Sequence, residues 1–481
     1  MRMIRVLLPL CALSAVIGCS SNVTSTPIAP NLPVTTPTNL QLFTNGTGSV
    51  ATYTTASTFD LTNPFFQTLG TNGRTCGTCH QQGQGMSLSA AAAKALFNST
   101  NGTDPLFAAI DGANFPTAVT GDPTSHTLLT NNGLFRIAIA LPKTAQFKLS
   151  VIADPYGCAL STNTAGQQVV SVYRRPLPAT SLGYLAEVMW DARETVAPLI
   201  TAATFNVNLN TNLAQQATDA ISGHAQGTVV PSAATLSAIT TFEQSLFTAQ
   251  AVDNLAGSLS IDGATGGPTN LAALGYYPGI NDSLGRDPHG ARFDPNSMSL
   301  YTAWANSANT QQASIARGQN IFNTANLNIT NVPGFPNTPN VSCSFCHDAP
   351  NLGSRSLAGT MDTGTSHVAS AEPDNNVIAG LRALNLPSLP VYQITGCTDP
   401  TTHAPVTYTT SDPGKALSTG LCADVSQTKV PILRGLAARA PYFHGGSATD
   451  LRQVVAFYNA RFRMGLSQGQ QSDLVNFLQA L

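Results

Sequence analysis

The sequence predicts a mainly α-helical protein in two halves, with long loops between its helices. Three observations carry this expectation. Apolar residues recur at helical spacing wherever a period can be read. Long stretches rich in Gly, Asn and Pro separate those segments. A five-residue pattern, C-x-x-C-H, occurs once in each half. The chain has 481 residues, 42% of them hydrophobic, so it can bury more than one core. Only 10% are charged and the net charge is −2. With no basic run, nucleic acid is excluded as a partner, because phosphate binding needs clustered Lys and Arg.

The N-terminus reads MRMIRVLLPLCALSAVIGCSSN. Arg2 and Arg5 form a basic region and residues 6–17 an apolar one, the layout of an export signal. Val16-Ile17-Gly18-Cys19 is similar to the lipobox of bacterial lipoproteins. Residues 1–18 are therefore expected to be a lipoprotein signal peptide. Cys19 would be lipidated as the new N-terminus, and Ser20 after it points to the outer membrane. No later stretch reaches roughly 18 uninterrupted apolar residues, so the membrane would be met only through the lipid anchor, from the periplasm. Residues 19–55, rich in Ser, Thr, Pro and Asn, are expected to be a flexible tether.

Helices are expected over 87–97, 233–249, 314–322, 450–462 and 467–481. The last opens with a capping box, Ser467 and Gln470. Segments 257–296 and 323–341 read as loops rather than strands. The boundary between halves falls near residue 250, giving domains over 56–250 and 251–481.

Cys76-Gly77-Thr78-Cys79-His80 and Cys343-Ser344-Phe345-Cys346-His347 carry the chemistry. C-x-x-C-H is the attachment signature of c-type haem. The two thiols add to the two vinyl groups of one porphyrin, and the adjacent His ligates the iron. A redox C-x-x-C would need a βαβ context and a structural zinc site closely spaced ligand pairs, and neither is seen here. The expectation is two covalently bound haem c groups, attached at Cys76 and Cys79 and at Cys343 and Cys346. His80 and His347 would be their iron ligands. The fold class becomes two cytochrome c-like haem domains with long loops, mainly α, behind a lipoprotein signal and tether. Cys397 and Cys422 bracket a loop and would pair in an oxidising compartment, leaving Cys158 as a buried thiol. The other pairings among these three remain open.

Residues 429–436 (KVPILRGL), 440–447 (APYFHGGS) and Phe457-Tyr458-Asn459 resemble the C-terminal signature of the bacterial di-haem cytochrome c peroxidase family. Within it they are most similar to the tyrosine-ligated subgroup of the methylamine dehydrogenase maturation enzyme. Met189-Trp190-Asp191-Ala192-Arg193 resembles the family's F-W-D-G-R segment, with Ala for Gly, and Phe242-Glu243 is also similar. The resemblance runs from about residue 60 to the end and is weakest between His80 and Trp190.

The resemblance implies a peroxide site at the first haem and an electron-transfer site at the second. Trp190 would relay electrons between them. Gln216 matches the distal Gln of the Tyr subgroup. The family's acid–base Glu falls at Gln226, and an amide cannot move a proton as a carboxylate does, so His224 is the substitute. Tyr458 takes the position of the second haem's distal ligand, with Met464 as the alternative. A tyrosinate there lowers the potential, whereas a thioether raises it. His444 would hydrogen-bond near the second haem. The family often holds a calcium ion between domains. Its backbone ligands map to Arg439 and Pro441, while the Asn that supplies a side chain is replaced within Arg174-Arg175-Pro176.

The implied activity is reduction of hydrogen peroxide, refilled by a periplasmic donor such as a small cytochrome or copper protein. A protein substrate is the other implied partner. Two alternatives stand beside it: a di-haem oxygenase using dioxygen on an organic substrate, and a non-catalytic electron-transfer cytochrome.

Overall fold

The structure, a computed structural model, describes residues 38–56, 58–399 and 402–481. It is a mixed α/β protein, 30% helix and 17% strand in several sheets, which overturns the mainly α expectation. The signal peptide and Cys19 lie outside the described residues. No helix among the described residues is long and apolar enough to cross a membrane.

Many of the strands fall in the long stretch between the first C-x-x-C-H and Trp190. Phe135–Ala140 (FRIAIA) and Gln168–Arg174 (QVVSVYR) are rich in β-branched and aromatic residues and pair antiparallel, Ile139 opposite Val170. Leu160–Thr162 completes this sheet. Lys148–Ala153 instead pairs with Val391–Thr398, which is hairpinned to Pro405–Thr410. A sheet thus joins strands from both halves of the chain. Both sheets share one core, including Ile139, Leu149, Val170, Val172, Tyr392 and Ile394. A disulfide joins Cys397 to Cys422 at this core. Cys158 is buried, its Sγ 3.6 Å from the Tyr173 hydroxyl.

The expected tether ends earlier than residue 55. Phe43–Asn45 and Gly48–Thr54 are strands, and the second pairs with Leu246–Asp253 along its whole length. The buried hydroxyls of Thr52 and Thr248 meet across this pair at 2.8 Å. Residues 246–249, expected to prolong a helix, are therefore strand, and residue 250 lies within it. Gln250 N–H donates to the Leu481 carbonyl at 3.2 Å, tying the C-terminus to the same sheet. Segment 323–341, read as loop, carries the paired strands Leu327–Ile329 and Thr338–Val341.

The expected helices form at Ala90–Thr100, Ala233–Gln244, Thr310–Thr324, Leu451–Arg461 and Gln468–Gln479. Ser467 and Gln470 make the capping box. Gly318 lets Thr310–Thr324 lie against Gln468–Gln479, since a Cβ there would stand 2.0 Å from the Asp473 carbonyl oxygen. The longest helix, Ala202–Gly223, was not expected. Its Asn and Thr content masks a buried stripe of Phe205, Leu209, Leu213, Ala217 and Ile221 at four-residue spacing.

One buried ion cluster sets a pH limit on this fold. His367 Nε2 meets Asp362 at 2.5 Å and Nδ1 meets Glu372. Burial pulls the imidazolium down, but the two carboxylates outweigh it and push His367 up to about 10. Its stabilisation is complete below the ordinary value of 6.5 and is lost as pH rises through about 10. Thermal melts should therefore show Tm falling as pH is raised toward that value. His367→Gln should have a lower Tm at neutral pH and a flatter profile above it. An equally steep profile in the variant would exclude His367 as the cause.

Candidate active site

Each C-x-x-C-H segment is a single turn opening on its own cavity. Cys76–Cys79 is one α-turn, and His80 N–H donates to the Cys76 carbonyl at 3.0 Å. Cys343–Phe345 is a 3-10 turn, and His347 N–H donates to the Cys343 carbonyl at 3.0 Å. His80 Nδ1 donates to the Met86 carbonyl at 3.1 Å, and His347 Nδ1 to the Gly353 carbonyl at 2.6 Å. A carbonyl can only accept, so the proton sits on Nδ1 and Nε2 keeps its lone pair for a metal. Burial lowers both imidazoles to about 4, which keeps them neutral.

The two cavities enclose about 1170 and 1580 Å³ of atom-free space, open mouths included, at the first and second motif respectively. Their walls are mainly apolar, and the cations set in them fit the acidic groups of a large ligand. Arg175 and Lys429 line both cavities and Arg439 lines the second. None of the three makes an ion pair among the described residues. Arg175 Nη1 is buried with no partner. Lys429 Nζ reaches only the Glu187 carbonyl, at 2.8 Å. Burial lowers Lys429 to about 8, burial and Arg439 lower Arg175 to about 9, and burial lowers Arg439 to about 10. Buried cations without counter-charge are costly, and porphyrin propionates are the anions that would relieve them. The residues therefore fit haem at both motifs.

They do not fit calcium. Arg175 Nη2 donates to the Arg439 carbonyl at 2.6 Å and to the Leu88 carbonyl at 2.8 Å. A guanidinium already occupies a carbonyl that the calcium expectation needs.

Trp190 lines both cavities. Its indole N–H donates to the Arg175 carbonyl at 2.8 Å, and its ring lies 6.1 Å from that of His444. Next to it, buried Asp191 meets Arg174 Nη1 at 2.5 Å, and Arg174 grips Asp412 with two bonds of 2.7 and 2.8 Å. Ala192 has φ +59°, the left-handed region that favours glycine, which accounts for Gly at this position in the resembling segment.

One face of the long helix Ala202–Gly223 borders the first cavity through Leu213, Gln216 and Ala220, and His224 continues the stripe. Gln216 and His224 thus meet at the cavity of His80. Gln226 does not line either cavity. The helix has ended, the chain turns with φ +55° at Gln226, and its carbonyl accepts from Thr71 Oγ1 at 3.1 Å. Gln226 thus stands apart from Gln216 and His224. Two carboxyls that sequence reasoning missed stand at this cavity instead, Asp111 and Glu243. Burial pushes Glu243 up to about 8. Glu243 had a signal in the quoted Phe-Glu pair; Asp111 had none.

At the second cavity Tyr458 and Met464 both line the wall with His347. Tyr458 stacks on Phe462 at 5.8 Å between centroids, and burial pushes its phenol up. His444 lines the same cavity, 3.8 Å from Asp412.

No protein-family model matches the chain. A stretch of 66 residues is 42% identical to cytochrome-c peroxidase IdrP2 of Denitromonas iodatirespirans. The match spans 12% of this chain and 18% of that relative's length. The crystal structure of a MauG-like protein associated with microbial copper homeostasis aligns with 67% of this chain and 78% of its own. At 13% identity and a TM-score of 0.28, that likeness carries nothing about fold or activity here.

Proposed function

We propose that this chain is a di-haem c-type oxidoreductase that reduces hydrogen peroxide at the first cavity. The reaction takes two protons and two electrons per peroxide and yields two waters. Haem supplies the redox chemistry at both sites. The observation that carries the reading is that two C-x-x-C-H turns each open on a cavity and Trp190 walls both. The short match to a cytochrome-c peroxidase supports it. In this reading His80 and His347 hold the irons, and Arg175, Lys429 and Arg439 bind propionates. Trp190 carries electrons between the sites. Tyr458 would hold the second iron together with His347, and an anionic oxygen there would lower the potential. The donor is a small periplasmic redox protein, and the chain is anchored through Cys19 in the outer membrane.

The decisive measurement is the intact mass of protein exported together with haem-attachment machinery, followed by its ferric spectrum before and after peroxide. The expected result is two haem additions and a spectral change on adding peroxide. A single addition would remove the di-haem reading, and an inert spectrum would remove the peroxidase.

A further inference from the structure

We infer that Asp111 is a positioning residue that makes His224 the acid–base group of the first cavity. The inference rests on the peroxide reading and extends it to a residue outside the segments that support the family resemblance. His224 Nδ1 lies in hydrogen-bond contact with Asp111 Oδ2, and Asp111 Oδ1 is held by Arg74 Nη1. Asp111 is buried, whereas the His224 side chain is 41% exposed. Burial would raise the Asp111 carboxyl, but Arg74 beside it and His224 outweigh that and hold it below the ordinary carboxylate value. An ionised carboxylate only accepts, so the His224 proton is fixed on Nδ1. Nε2 then presents a lone pair and has no protein partner among the described residues.

The backbone is fixed as well. The His224 carbonyl accepts from Asn72 Nδ2 at 2.7 Å and from Arg74 at 3.2 Å. Arg74 in turn is bound to the Pro105 carbonyl at 2.7 Å and the Leu106 carbonyl at 2.8 Å. Asp111 and Arg74 touch His224 directly, and Arg174, Arg175, Arg193, Lys429 and Glu243 stand elsewhere on the wall of the same cavity. His224 Nε2 takes the proton from one peroxide oxygen and returns it to the other, which leaves as water when the O–O bond breaks. The remaining oxygen takes two electrons, which the external donor restores, and two protons from solvent, and leaves as the second water. An Asn at 111 would offer its amide N–H to Nδ1, reverse the tautomer, and turn Nε2 from acceptor to donor.

The test uses holoprotein variants Asp111→Asn, Asp111→Glu, His224→Ala and the double variant. Haem content and circular dichroism check that each has folded. Two readouts are taken: the rate with hydrogen peroxide, and the C–O stretch of the carbon monoxide complex of the reduced first haem. Acid–base groups contribute about 100- to 10,000-fold, so Asp111→Asn and His224→Ala should each slow the reaction by that order. The double variant should be no slower than His224→Ala, and Asp111→Glu should recover part of the rate. The C–O stretch should move in Asp111→Asn, because Nε2 now donates. A wild-type rate in Asp111→Asn, or a lost rate with an unmoved stretch, overturns the proposal. Absence of any carbon monoxide band in the wild type would instead remove the open first haem on which it rests.

Discussion

His80→Gly is expected to abolish the reaction with peroxide while leaving the second haem attached and reducible. His80 follows a single turn, its Nδ1 donates to the Met86 carbonyl, and it lines a cavity that also holds Gln216 and His224. His347 is held in the same way by Gly353, but its cavity is walled by Tyr458, Phe462 and Met464. The two turns are thus built alike and differ in the side chains that line their cavities. The first has His224, which can move a proton, and the second has Tyr458 and Met464, which in the proposed reading would supply a ligand. Removing the imidazole should silence the first alone. Added imidazole should refill the space and return part of the rate, which separates a lost ligand from a misfolded domain. Spectra of the variant resolved by haem are the measurement, and unchanged peroxide kinetics would show that the reactive haem is the other one.

The parts of this site that were legible in the sequence are those whose chemistry is local. C-x-x-C-H packs two thiols and a ligand into one turn, and both turns form as the spacing requires. Trp190 was legible because Asp191 and Arg193 beside it mark a segment. Asp111 was not, since it reaches His224 only by the folding of a stretch without local pattern. Gln226 stands apart from Gln216 and His224 because the helix stops at Gly223. Some of the strands were missed because their partners are remote, as Lys148–Ala153 pairs with Val391–Thr398. Gly48–Thr54 looks like tether until Leu246–Asp253 lies beside it. Helix Ala202–Gly223 shows the opposite error, where a correct four-residue stripe was present but poor helix formers hid it.

Arg174→Ala is expected to have the largest effect on stability of any single change away from the haem ligands. The guanidinium joins three segments: the end of strand Gln168–Arg174, Asp191 beside Trp190, and Asp412 beyond the hairpin. All three groups are buried. Burial raises both carboxyls, yet Arg174, helped by Arg193 at Asp191 and by His444 at Asp412, outweighs it and holds them below the ordinary carboxylate value. Deleting the arginine strands the buried carboxylate of Asp412 and leaves Asp191 with Arg193 alone, at 3.0 Å, a loss of about 3–5 kcal/mol against a total stability of roughly 5–15. Arg174→Lys should recover only part, because one ammonium cannot fork to two carboxylates. The sign with pH is a further check. In the wild type both carboxyls have lowered values, so their stabilisation is present above about pH 4 and is lost as pH falls below it. In Arg174→Ala the carboxyls left behind are relieved by protonation, so the gap between variant and wild type should narrow toward acid pH. Urea unfolding of the holoprotein across that range measures the gap directly. A gap that is constant with pH would mean that the arginine acts by filling space, and that the charge network does not hold Trp190 in the wall between the cavities.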